Sequence, residues 1–193
     1  MKTIAADLPA IVFMKVGRHA GEDFDAIIER KMNEFKQAGM IFWGYGGGTM
    51  HPIQRVQPFA RMMIERGAGL TLVMQPIVSH HPDTTVVATE YSKDGIHWEP
   101  IPGGIAVRGS RYALVLGEIR PGDLEVDLLQ YRVGAGPSAG RIASDYVQGR
   151  VDKACLERVE APPDGTGANI IKVTYTAPLK EPYAVLLKGH ASG

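Results

Sequence analysis

Residues 11–39 read IVFMKVGRHAGEDFDAIIERKMNEFKQAG, and the change of period within them decides the fold class. Ile11 to Val16 is apolar except for Lys15, which suits a strand covered on both faces. From Glu22 to Ala38 the period lengthens. Phe24, Ile27, Ile28, Met32 and Phe35 fall on one helical face. Glu22, Asp23 and Asp25 place negative charge where the helix dipole favours it, and Gly39 suits the left-handed residue that ends a helix. A strand followed by an amphipathic helix opens a layered arrangement.

The same alternation continues outward. Met40 to Trp43 is a short second strand. A second helix starts near Pro52, where a first-turn proline loses no hydrogen bond. Ile53, Val56, Phe59, Ala60 and Met63 form its apolar stripe, Arg55, Arg61 and Arg66 lie on other faces, and Gly67 ends it. Leu70 to Val78 is the third strand. Residues 1–79 therefore form a β-α-β-α-β run.

Residues 84–188 read as β-rich. Thr84 to Tyr91 alternates and is followed by Ser92-Lys93-Asp94-Gly95 and Ile96-His97-Trp98; Asp-Gly between such runs signals a hairpin. The string Ser92 to Trp98 resembles the Asp-box hairpin of sialidases over seven residues, with a departure in spacing. That resemblance implies a hairpin and no activity. Tyr112 to Ile119 is apolar on both faces, as in a central strand. Arg120 to Asp123 reads as a turn, Leu124 to Val133 as a strand, Gly134 to Gly140 as a loop, and Arg141 to Leu156 as one or two short helices. Asn169 to Ala177 and Tyr183 to Lys188 read as a closing hairpin around Pro178 to Pro182. The expectation is a single α+β domain over 1–193. Its sheet is mixed to largely antiparallel, open or partly closed into a barrel, with two N-terminal helices and then a β-rich meander.

Composition narrows the function. Lys plus Arg and Asp plus Glu each total 21, so the net charge is zero and a general nucleic-acid binder, which needs a basic excess, is disfavoured. The single cysteine, Cys155, can make neither an internal disulfide nor a cysteine-based zinc site, and reads as a small buried hydrophobe. No signal-peptide pattern and no long uncharged apolar window are present, so the expectation is a soluble cytoplasmic protein without a membrane partner. A neutral total gives little mutual repulsion and leaves a homodimer open. All eight methionines lie at or before Met74, which reads as a core detail.

The segment that points to chemistry is Gly44 to Pro52, GYGGGTMHP. Glycine backbone admits a ligand closely, and a helix N-terminus favours negative charge. Gly46, Gly47, Gly48 and Thr49 would cradle a phosphate or carboxylate, with Arg55 one turn inside the helix pairing with it and Tyr45 and Arg18 beside it. His51 is the first choice for acid–base work and His19, at the end of the first strand, the second. The plain alternative is a tight strand-to-helix connection under Trp43 and Tyr45. The segment is neither a Walker loop nor a dinucleotide fingerprint. A second loop, Gly134 to Gly140, with Ser138 as a helix cap between Arg132 and Arg141, has the same outline. His80-His81 is the one histidine cluster, no metal motif is present, and the sequence does not identify a cofactor. Three functions fit: a binder of a small anionic molecule, a structural protein that assembles with itself, and a reader of a flipped or modified nucleotide stacked on Trp43, Tyr45 and Trp98.

Overall fold

The computed structural model describes residues 3–4, 8–46, 53–80, 86–147, 151–160 and 170–191. In chain order the elements are β1 (Thr3–Ile4), β2 (Ala10–Arg18), α1 (Phe24–Ala38), β3 (Ile41–Gly46), α2 (Ile53–Glu65), β4 (Leu70–His80) and β5 (Val86–Ser92). Then follow β6 (Glu99–Pro100), β7 (Tyr112–Leu116), β8 (Arg120–Asp127), a 3-10 turn at Leu128–Gln130, β9 (Tyr131–Val133), α3 (Ala143–Tyr146), β10 (Lys153–Arg158) and β11 (Ile170–Ala191). The class is α+β. The chain divides into two compact units, each assembled from three separated segments.

The first unit comprises Met1–Val16, Pro58–Gln75 and Arg120–Pro178. Its strands run in the order β1-β8-β11-β4-β2-β10-β9. In it β10 pairs antiparallel with β2 and β9, β11 pairs antiparallel with β4 and β8, and β1 pairs parallel with β8. Among the described residues this path is open at β1 and β9, so the sheet is not closed into a barrel, contrary to the partly closed alternative. Closure would need the two end strands to pair. Ile11 and Phe13 lie opposite Leu156 and Ala154, and these four join Val126, Val133 and Val173 in one buried cluster.

The second unit comprises Gly17–Gln57, Pro76–Ile119 and Leu179–Gly193. Its strands run β3-β7-β11-β5-β6, all antiparallel. Phe42, Val115, Val185 and Leu187 share its buried cluster, and Phe42 meets Tyr91 edge to face at 5.1 Å. The Asp23 carboxylate caps α1 by accepting the Ala26 N–H at 2.9 Å, and Gly39, at φ 72°, donates its N–H to the Phe35 carbonyl at 2.8 Å. The buried positions of α1 are Ile27, Ile28, Lys31 and Glu34, whereas Phe24, Met32 and Phe35 are only half-buried. The apolar stripe is therefore rotated from the expected one, and two charges occupy part of the inner face.

Three sequence expectations give way here. Arg120–Asp123 is not a turn but the start of β8; Pro121 sits opposite Tyr175 beside a register shift, the irregularity at which a strand tolerates a missing donor. The stretch 141–156 is not mainly helical. Among its described residues only Ala143–Tyr146 is helix, and Ala154, Cys155 and Leu156 are buried in β10. The final hairpin does not form, because β11 runs straight through. Burial keeps a period of two across Pro178, with Ile171, Val173, Ala177 and Leu179 inside and Pro178 exposed. A register shift between Leu179 and Ala184 then absorbs Lys180 to Tyr183. The Gln57 side-chain amide of α2 donates to the Pro182 and Ala184 carbonyls there, each at 2.9 Å.

Candidate functional site

The candidate site belongs to the second unit. β2 ends at Arg18, and the chain reverses over Ala20 and Gly21, both at positive φ (50° and 82°). His19 and Glu22 exchange backbone hydrogen bonds of 2.9 and 3.0 Å across this two-residue turn, as a type I′ turn requires. The turn directs the His19 ring outward to the 105–111 segment, where Nε2 meets the Arg108 carbonyl at 3.0 Å.

That segment also meets the end of β3. The Arg111 N–H donates to the Gly46 carbonyl at 3.1 Å. A Cβ placed on Gly44 would lie 2.5 Å from the Ser110 hydroxyl, so glycine is needed there for close approach. Gly46 closes β3 at φ 151°. Arg18, Arg108 and Arg111 are exposed, and neither Arg18 nor Arg111 pairs with a carboxylate among the described residues.

Glu22, which closes the turn, is already engaged. The Arg30 guanidinium holds both Glu22 carboxylate oxygens through three hydrogen bonds of 2.8–3.0 Å. Those bonds hold the Glu22 carboxyl below the usual carboxylate range against the opposing effect of burial, and the charges of Arg30, Arg108 and Lys31 act in the same direction. Behind this layer Lys31 and Glu34 form a buried ion pair at 2.9 Å. Burial lowers the Lys31 ammonium to about 8 and raises the Glu34 carboxyl.

Of the residues expected to bind or act, His19 meets the Arg108 carbonyl, Gly46 accepts from the Arg111 N–H, and Arg18 precedes His19 at the end of β2. Tyr45 is fully buried, 6.0 Å from Tyr112 edge to face, so its ring is a core contact. Arg55 lies in the first turn of α2. Gly47, Gly48, Thr49 and His51 lie outside the described residues, as does His81. Arg111 and Ser110 were not distinguishable from sequence, since nothing in the spacing shows that they return to β3.

The second glycine loop belongs to the other unit and is tied to β10 by the Gly134 N–H, which donates to the Cys155 carbonyl at 2.9 Å. Gly140 donates to the Val133 carbonyl, Val133 to that of Arg141, and Gly136 and Gly140 take positive φ. Ser138 is not the helix cap; Ile142 holds that position without a side-chain bond. Arg132 pairs with Glu157 at 2.6 Å, and the Arg141 guanidinium lies 5.8 Å from the centre of the Tyr146 ring. Of the rings proposed to stack a base, Trp43 and Tyr45 are buried, and Trp98 is half-buried with the Lys188 ammonium 3.8 Å from its ring centre. Among the described residues no cluster of three metal-ligating side chains occurs, and no helix is long and apolar enough to cross a membrane.

No protein-family model matches the chain, and neither a curated protein nor a solved structure was found to be similar to it.

Proposed function

We propose that the protein binds a small molecule through an anionic phosphate or carboxylate group at the end of β3 in its second unit. The reading rests on one observation. In its support, the backbone of the segment that carries Arg108 and Arg111 is bonded at Arg108 to the His19 ring and at Arg111 to the Gly46 carbonyl, at the end of β3. Guanidinium groups bind oxyanions bidentately, and backbone at a glycine-rich strand end admits such a ligand closely. Glu22 offers little competition because Arg30 already occupies it. The protein in this reading is cytoplasmic and has no general affinity for nucleic acid or membrane.

Isothermal titration with inorganic phosphate, sulfate and a metabolite panel tests it. Binding is expected to weaken with added salt and to fall roughly tenfold in Arg18→Ala and Arg111→Ala, the loss of about one charge-assisted contact. Parallel His51→Ala and Arg55→Ala variants probe the loop and helix side. A flat titration, or affinities unchanged in all four variants, overturns the reading.

A further inference from the structure

We propose that the buried Lys31–Glu34 pair regulates the anion site by holding in place the 105–111 segment that carries Arg108 and Arg111. The inference rests on the anion-binding reading above.

Both backbone polar groups of Ala106 are taken by charged side chains of α1. Its carbonyl accepts from Lys31 Nζ at 2.9 Å and from Arg30 Nη1 at 3.0 Å, while its N–H donates to Glu34 Oε1 at 2.7 Å. Lys31 Nζ also donates to both Glu34 oxygens, at 3.1 and 2.9 Å, and to the Phe42 carbonyl of β3. The two side chains are 4% and 2% exposed, so the arrangement is enclosed. An apolar pair would avoid the desolvation cost of the two charges but would leave the Ala106 N–H and the Phe42 carbonyl without the side-chain partners they have here. Ala106 stands two residues before Arg108. What the charges supply is therefore a fixed position for the segment.

The groups facing Lys31 are Glu34 and Arg30 on α1, Glu22 before it, and the carbonyls of Phe42 and Ala106; Arg108 faces Glu22 in turn. Because burial brings the ammonium down to about 8, the pair changes its protonation just above neutral pH. Loss of the Lys31 proton removes the charge that joins Glu34, Ala106 and Phe42, leaves Arg30 on the Ala106 carbonyl, and weakens the hold on the backbone segment that carries both arginines.

Sulfate, whose charge is constant over the range, is titrated into the full chain from pH 7 to pH 9.5. The wild type is expected to lose roughly tenfold in affinity over that range, the scale of a lost preorganisation. The Lys31→Met/Glu34→Leu variant leaves the net charge unchanged, and should bind weakly with no such pH dependence. Lys31→Arg keeps the positive charge and is expected to flatten the fall in affinity, which also keeps the proposal testable if the double variant does not fold. No sulfate binding by the wild type removes the anion-site reading and this inference together. Binding by the wild type with the same affinity and pH profile in the double variant, or an unaltered profile in Lys31→Arg, overturns this inference alone.

Discussion

Ala20 holds a backbone conformation that L-residues avoid, at φ 50°, in the turn that presents His19. The left-handed region costs a residue with a Cβ about 1–2 kcal/mol relative to the right-handed one, and glycine escapes that cost. Ala20→Gly should therefore raise stability by about 1 kcal/mol, partly offset by glycine's greater freedom when unfolded, and a urea titration reads it. A second residue-scale prediction concerns the tip of the β5–β6 hairpin. The Asp94 carboxylate meets His97 Nδ1 at 2.6 Å and accepts the N–H groups of Ile96 and His97, each at 2.8 Å. The bond with His97 does most to hold Asp94 well below the usual carboxylate range, and its counterpart raises His97 above the usual histidine value. The sign follows. The raised His97 favours the fold below the histidine's unfolded pKa, an effect lost as pH rises through its folded value. The lowered Asp94 favours the fold above the unfolded carboxylate pKa, an effect lost as pH falls through its own. Proton NMR should find His97 titrating above 6.5 and returning toward it in Asp94→Asn. This hairpin and the Gly39 stop were legible because each depends on near neighbours in sequence, whereas Asp23 read only as a charge favoured by the helix dipole and not as the cap it is. Lys31 and Glu34 were not. Charges at helical spacing read as a solvated face, and only their opposite signs three residues apart hinted at a pair.

Elements failed to be legible where long-range pairing overrode local signals. Prolines at 178 and 182 read as a turn, yet β11 passes both, because its partners change from β4 and β8 to β7 and β5 while its burial period continues. Three apolar residues at 154–156 cannot show by period alone whether they are helix or strand, and pairing with β2 and β9 settles them as strand. The two long helices were legible because their periods extend over 15 and 13 residues. Gly134 illustrates a residue whose need for space only packing reveals. A Cβ there would stand 2.4 Å from the Phe59 ring of α2. Gly134→Ala should destabilise by about 1–3 kcal/mol, the usual range for overpacking. Phe59→Leu should recover part of that loss when the two are combined. Chemical denaturation of both singles and the double gives the coupling; strictly additive effects would refute the clash.

At the scale of the whole molecule, the division into two units does not follow the chain. β2, β4, β11 and α2 each contribute residues to both units. A strand shared in this way cannot leave one sheet without freeing backbone groups at the start of the other, so the units should unfold together. The sequence supplies a separate probe for each. Trp43 and Trp98, the two tryptophans of the chain, lie in the second unit, and Cys155 lies in the first. Cys155 is fully buried and its thiol is pushed up to about 12, so a thiol reagent should reach it only after the first unit opens. Tryptophan fluorescence and Cys155 labelling are then expected to give one urea midpoint, as a two-state transition requires. Phe13→Ala, in the first unit alone, should cost about 3–5 kcal/mol and shift both probes equally. Two midpoints, or a fluorescence transition unmoved by Phe13→Ala, would show that the shared strands do not couple the units.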